Sequence, residues 1–252
     1  MENSFMHTLH IYAVIIGSEI LNGRRVDKHF DFVKSALAQR GYSLHCVEII
    51  KDDEALIKSS FKRVRADEKS MMFCFGGIGS TPDDLTRAIA ADVFRGSPLV
   101  CHAQFEKDII EYFGEGAYPN RIHMAELPVD AGLLKNPVNN MSGFYLDERY
   151  FFMPGFPEMA HPMVEEVIER FLPQNRPFYR KTLLAYCSEE RLITIMKLIP
   201  DDVECSSLPM FVNKKANVEM SVASYDENMT LRYFGMFVDF LEANDIGYEV
   251  KA

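Results

Sequence analysis

Apolar runs of strand length alternate with segments of helical period from His10 to Phe171, and that alternation constrains the fold more than any other feature of the chain. His10 to Ile16 is apolar and β-branched and reads as a strand. Asp27 to Arg40 carries Phe30, Val33, Leu37 and Ala38 at helical spacing, and Gly41 fits a helix C-cap. Leu44 to Ile50 reads as a second strand. Asp52-Asp53 then opens a helix through Leu56, Ile57, Phe61 and Val64, and Met71 to Phe75 reads as a third strand. Further helices are predicted through Leu85, Ala88, Ile89 and Val93, and from Phe105 to Phe113 with Ile109, Ile110 and Phe113 on one face. Strands alternating with helices predict an α/β fold built on a parallel, doubly wound sheet.

Gly114 to Asn140, interrupted by Pro119, Pro128 and Pro137, shows no readable period. Gly143 to Leu146 and Tyr150 to Met153 read as strands joined by a turn at Asp147-Glu148. Pro154-Gly155-Phe156-Pro157 is a loop, and a helix follows through Met163, Val167, Ile168 and Phe171. Pro173 to Pro177 reads as a linker. Beyond it the pattern restarts, with strands at Lys181–Tyr186, Val203–Val212, Val218–Ser224 and Tyr248–Val250. Helices are expected at Glu189–Leu198 and Leu231–Leu241, which makes a second, smaller α+β domain.

A chain of 252 residues is long enough for one large domain or one large and one small, and its 48% hydrophobic content allows a full core. Its net charge of −10 argues against nucleic-acid binding, which needs a basic surface. Five cysteines without CxxC spacing read as reduced, mostly buried thiols of a cytoplasmic protein. No apolar run reaches membrane-spanning length, and no signal peptide is expected at Met1-Glu2-Asn3-Ser4.

Ligands of doubly wound sheets bind outside the carboxyl ends of the strands. Four polar clusters directly follow strand-like runs: Gly17-Ser18-Glu19, Asp52-Asp53, Gly76 to Thr86, and Pro154 to Glu158. The loop Gly76-Gly77-Ile78-Gly79-Ser80-Thr81-Pro82-Asp83-Asp84-Leu85-Thr86 is the most informative of them. Glycines let a backbone approach a ligand closely, and a following helix start offers N–H groups to an anion. Asp83 and Asp84 would repel a phosphate unless a cation lay between, so the loop suggests a phosphorylated ligand held with a divalent metal. It is neither a P-loop nor the G-x-G-x-x-G fingerprint. Capping offers a competing reason for part of it: Thr81 suits an N-cap, Pro82 the first helical position and Asp84 a capping box. Asp52 and Asp53 also suit a helix start, and either becomes a metal or hydroxyl ligand if it shares an edge with Asp84. Glu19 is balanced between turn residue and ligand contact, and Glu158 reads more as a cap than a catalyst. His7, His10, His29, His45, His102, His123 and His161 lack metal-ligand spacing and read as surface or packing residues. Carboxylate ligands favour magnesium or manganese over structural zinc.

Gly17 to Gly23, Asp52-Asp53, the Gly76–Thr86 loop, Asn136-Pro137 and Met153 to Met159, in this order, resemble the molybdopterin-binding domain of the MoaB and MogA type, and within it the N-terminal part of the CinA family. The resemblance covers about residues 8–172, and the tail over 178–252 is similar to the small KH-like domain that follows in CinA. It implies a three-layer α/β/α domain that forms homo-oligomers and takes a phosphorylated pterin or nucleotide. In the CinA branch it implies a pyrophosphatase of ADP-ribose-like dinucleotides that uses magnesium, manganese or cobalt; in the MogA branch, adenylyl transfer to molybdopterin. Carried over by position, Asp52 and Asp84 are the catalytic and metal-holding aspartates. Glu19 is the glutamate of the first loop, and Gly76, Gly77, Gly79, Ser80 and Thr81 are the phosphate loop. Gly17, Asp83, Thr86, Pro154, Gly155 and Glu158 complete the candidate ligand set. Ser80 stands where this family usually has proline, and Val138 to Gly143 replaces a Gly-Thr-Ala-Pro-Gly-like segment. The amidase domain that often follows in CinA is not expected in a chain ending at Ala252. A binding protein without turnover is the alternative reading. RNA binding by the smaller domain is disfavoured, because no Gly-x-x-Gly loop follows Lys181.

Overall fold

In this computed structural model, which describes residues 9–212 and 215–251, β1 (His10–Ile16) is buried from Ile11 to Ile16. A strand covered on both faces has no polar alternation, hence its unbroken apolar sequence. The chain continues through a single turn, α1 (Ser18–Leu21), and then α2 (His29–Gln39). Gly41 follows α2 with φ of 77°, and the Gly41 and Tyr42 N–H groups donate to Ala38 and Leu37. This double hookup is a Schellman cap, and it needs the left-handed conformation that glycine supplies. β2 (Leu44–Ile50) leads to α3 (Glu54–Ala66), capped by Asp53, whose carboxylate accepts the Leu56 N–H at 3.0 Å. β3 (Ser70–Phe75) is buried throughout.

α4 (Thr86–Ala90) runs into a π-helical turn over Ala91–Arg95. β4 (Val100–Cys101) pairs with β5 (Glu126–Leu127), and between them lie α5 (Ala103–Phe113) and 3-10 turns at Gly114–Ala117 and Arg121–Ala125. Ile109 is buried under α5, but Ile110 is 39% exposed, which narrows the expected apolar face. β6 (Gly132–Leu134), β7 (Gly143–Leu146), β8 (Tyr150–Met153) and α6 (Pro157–Phe171) complete this unit. Asp147, Glu148 and Arg149 join β7 to β8 in a three-residue hairpin loop, with Asp147 and Glu148 left-handed at φ of 56° and 52° and the Arg149 N–H donating to the Leu146 carbonyl at 3.0 Å.

The sheet order is β2-β1-β3-β8-β7-β6, parallel from β2 through β8 and antiparallel beyond. One face carries Phe61, Met72, Val93 and Phe152 beneath α3, α4 and α5; the other carries Val33, Leu37, Phe73 and Met163 beneath α2 and α6. The unit is therefore a three-layer α/β/α sandwich.

The described chain divides between Asn175 and Arg176 into two compact units. The second holds β9 (Tyr179–Ala185), a 3-10 turn at Glu189–Leu192 with a single turn of α7 (Ile193–Met196), β10 (Glu204–Val212), β11 (Lys215–Ser224), α8 (Glu227–Ala243) and β12 (Tyr248–Lys251). Its antiparallel sheet runs β10-β11-β9-β12. The β-α-β-β-α-β order is a ferredoxin-like split βαβ arrangement, closed over Leu183, Met220 and Phe237. All five cysteines are free; Cys74 and Cys187 are buried, while Cys101 is exposed. No described helix is long and apolar enough to cross a membrane.

Candidate active site

Because β2, β1, β3 and β8 run in one direction, the four strand-end clusters emerge along one edge of the sheet. The chain steps from β1 outward to β2 and then back across β1 to β3, so the β1 and β3 loops flank a topological switch point. That is where open α/β sheets bind ligands. A cleft of about 520 Å³ lies there. Gly76, Gly77, Gly79, Ser80, Thr81, Asp83 and Asp84 line it, together with Glu19, Asp52, Pro154 and Gly155 from the other three clusters.

The glycine loop is held by backbone closure. Gly76 has φ of 96°, donates to Met153 at 2.9 Å, and a Cβ there would sit 2.2 Å from the Ile16 carbonyl oxygen. Buried Thr86 donates its hydroxyl to the Gly76 carbonyl at 2.9 Å and its N–H to Gly77 at 3.0 Å. A Cβ on Gly77 would meet the Thr86 hydroxyl at 2.3 Å. These glycines are therefore needed for the turn whether or not a ligand is present. Thr86 fastens the loop from behind, is not part of the cleft wall, and its N–H is committed to Gly77.

The predicted helix cap is not formed. α4 begins at Thr86, so Thr81 is not its N-cap, Pro82 is not its first residue, and the one capping-box bond Asp84 makes, to the Thr81 N–H, caps no helix. Instead Thr81 to Asp84 makes a turn of its own, with the Asp84 N–H donating to the Thr81 carbonyl at 3.0 Å. Asp84 Oδ2 accepts the Thr81 N–H at 2.8 Å, and the Thr81 hydroxyl lies 2.6 Å from both Asp84 Oδ2 and Asp83 Oδ1. The side-chain bonds satisfy the turn locally and delay the helix. The Thr81 hydroxyl holds the Asp83 carboxyl below its ordinary range.

Asp52 and Asp53 separate in role. Asp53 caps α3, whereas Asp52 Oδ2 accepts the Ser18 N–H at 2.8 Å and the Asp52 N–H donates to the Ser18 hydroxyl at 3.2 Å. This reciprocal clasp fixes the β1 loop to the β2 loop and leaves Asp52 at the cleft. Glu19 stands 3.7 Å from Arg25 across the same wall. Besides Thr86, two candidates lie outside the cleft. Gly17 is buried extended backbone with φ of 177° that donates to Ile50. Glu158 is in the first turn of α6 and faces a separate hollow with Arg25 and His29.

Several lining residues were not among the candidates read from the sequence. Phe105, Phe113, Arg121 and Met124 come from α5 and the aperiodic segment, and Asn139, Met141 and Ser142 from the segment before β7. The Arg121 guanidinium sits 4.7 Å over the Phe113 ring, and that of Arg25 lies 5.2 Å over Phe156. Arg87 is 7% exposed and donates to the carbonyls of Gly79 at 2.7 Å, Glu126 at 3.0 Å, and His123. It thus ties the glycine loop to the Arg121–Ala125 wall, and burial lowers its pKa.

Asp52 and Asp84 each engage one carboxylate oxygen with the chain, at Ser18 and at Thr81. Among the described residues, the three potential metal ligands that lie within 4.8 Å of one another are His10, His45 and Asp67, not the cleft carboxylates. A hard octahedral cation needs no protein cage, because it takes one or two carboxylates plus phosphate oxygens and water. The second oxygens of Asp52 and Asp84 suit that donor set.

The chain is 27% identical over 199 residues to a protein of Thermococcus kodakarensis, covering 73% of this chain and 78% of that one. It is 31% identical over 166 residues to a CinA-like protein of Nostoc punctiforme, covering 63% of this chain but 39% of the relative, so it spans well under half of that protein's length. A crystal structure of the protein CinA with unknown function, from Thermoplasma acidophilum, superposes with a TM-score of 0.58 at 24% identity, over 65% of this chain and 99% of that one. That likeness shows the fold. The family described as "probable molybdopterin binding domain" matches residues 12–174. The chain therefore belongs to this family, the MoaB/MogA-type domain, close to the N-terminal part of CinA.

Proposed function

We propose that the cleft binds a phosphorylated nucleotide or pterin and, with a divalent metal, hydrolyses the diphosphate of an ADP-ribose-like dinucleotide. One observation carries this reading: Asp52, Asp83, Asp84 and Glu19 face the same cleft as Arg25, Arg121 and two phenylalanine rings. Carboxylates alone would repel a diphosphate, and arginines alone would bind it without supplying a metal site. Magnesium, manganese or cobalt held by Asp84 and Asp52 would neutralise phosphate charge and lower the pKa of an attacking water. Ser80 offers its hydroxyl and backbone N–H to phosphate oxygens, while Thr81, whose N–H and hydroxyl are held by Asp83 and Asp84, orients those carboxylates. Arg25 and Arg121 balance the remaining charge, and the Phe113 and Phe156 rings offer flat faces to a base or pterin.

The test is incubation with ADP-ribose and each metal while AMP and ribose phosphate are followed chromatographically. Metal-dependent release of both products, lost in Asp84→Asn, is the expected result. Full turnover by Asp84→Asn would refute the assignment. A second reading, binding without turnover, draws on Asn139, Met141 and Ser142. These cleft residues belong to the segment that departs from the family pattern. It predicts ligand uptake in calorimetry with no product.

A further inference from the structure

We propose that His10, His45 and Asp67 form a solvent-open site for a borderline divalent cation, Zn²⁺ or its neighbours Co²⁺ and Ni²⁺, at the edge of the sheet opposite the cleft. Strand geometry brings the three together. In the parallel β1–β2 ladder Ile11 pairs with Leu44, but Tyr12 pairs with Cys46, so His45 is an extra residue on β2. Such a bulge re-aims a side chain. Here it sets the His45 ring on the His10 ring, with centroids 4.2 Å apart and planes 14° from parallel, and 5.3 Å from the Tyr12 ring. Asp67, the C-cap residue of α3, closes the group. Its Oδ2 lies 2.7 Å from His10 Nδ1 and accepts the Tyr12 hydroxyl at 2.9 Å, while Oδ1 accepts the Lys69 N–H at 3.0 Å.

The ligand atoms of the three residues all lie within 4.8 Å of one another. Zinc-bound nitrogen and oxygen atoms at about 2.1 Å from the metal stand roughly 3.4 Å apart in a tetrahedron. The His10–Asp67 pair opens slightly to admit the ion in place of its shared proton. His45, which is exposed, supplies the remaining movement. Two imidazoles with one carboxylate select zinc-like ions over magnesium. The Tyr12 hydroxyl, donating to Asp67 Oδ2, orients the Asp67 ligand, as outer partners of metal sites do. A His10–Asp67 ion pair alone accounts for two of the three groups, but not for the bulge that turns His45 onto the same face. β1 separates this site from the cleft by about 20 Å at the usual rise per residue.

Calorimetric titration of chelator-treated full chain with zinc chloride tests the site. One zinc per chain is expected, with affinity weakened roughly tenfold or more in His45→Ala and in His10→Ala. Affinity is expected to be unchanged in Cys46→Ser and in Asp84→Asn. His45→Ala alters an exposed side chain, and its thermal unfolding without zinc is expected to match that of the parent. No binding by the parent protein, undiminished affinity in His45→Ala, or a loss confined to Cys46→Ser or Asp84→Asn would each overturn the proposal.

Discussion

Arg87→Lys keeps a positive charge but removes the planar fork that reaches carbonyls on two sides. The guanidinium donates to Gly79 on the glycine loop and to His123 and Glu126 on the opposite wall, and it is 7% exposed. Hydrogen bonds from a charged donor contribute roughly 1.5–3 kcal/mol each. Desolvating the guanidinium costs several kcal/mol, which offsets part of this. A net loss of about 2–4 kcal/mol follows, because lysine leaves at least one wall unheld and its carbonyl unsatisfied. For a domain of this size that lowers Tm by about 4–16 °C. The variant is measured by thermal unfolding and by calorimetric titration with ADP-ribose and magnesium. Affinity falls even well below the melting transition, because Gly79 loses its register against Arg121. Parental Tm and affinity in Arg87→Lys would refute the tie.

Three further substitutions probe other parts of the site. Gly76→Ala forces φ of 96° on an alanine and drives its Cβ to 2.2 Å from the Ile16 carbonyl, so it should lower stability by about 2–4 kcal/mol in urea unfolding. Asp53→Ala removes only the α3 cap, lowers stability by about 1 kcal/mol and leaves ligand affinity unchanged, whereas Asp52→Ala weakens ligand binding in the same calorimetric titration. Burial holds His29 below its ordinary 6.5, against the raising effect of the Gly155 carbonyl. The unfolded chain then binds a proton that the folded chain resists. Stability therefore falls as pH drops below about 6.5 toward the folded value, by at most about 1.4 kcal/mol per pH unit. His29→Gln should flatten that slope in urea unfolding at pH 7 and pH 5.

Much of the fold was legible because buried parallel strands write themselves as unbroken apolar runs, as β1 and β3 do. The convergence of Asp52, Gly76 and Pro154 then followed from strand direction alone. What escaped had physical reasons. Thr81, Pro82 and Asp84 fit a helix cap and a free turn equally well in sequence, and the Thr81–Asp84 side-chain bonds decided for the turn. The wall bearing Phe113 and Arg121 ends in 3-10 turns too short to have a period. Arg87 drew no reading from the sequence, since nothing local announces a buried guanidinium. His10 and His45 lie on neighbouring strands and meet through a bulge, so no sequence spacing marks them.

The central claim is that one cleft at the β1/β3 switch point takes the phosphorylated ligand. A crystal of the full chain grown with ADP-ribose and magnesium tests it most directly. The phosphates should lie against Gly79, Ser80 and Thr81, with the metal between them and Asp84 and a flat ring on Phe113 or Phe156. Ligand bound away from the Gly76–Thr86 loop, or a cleft left empty at saturating ligand, would contradict the claim.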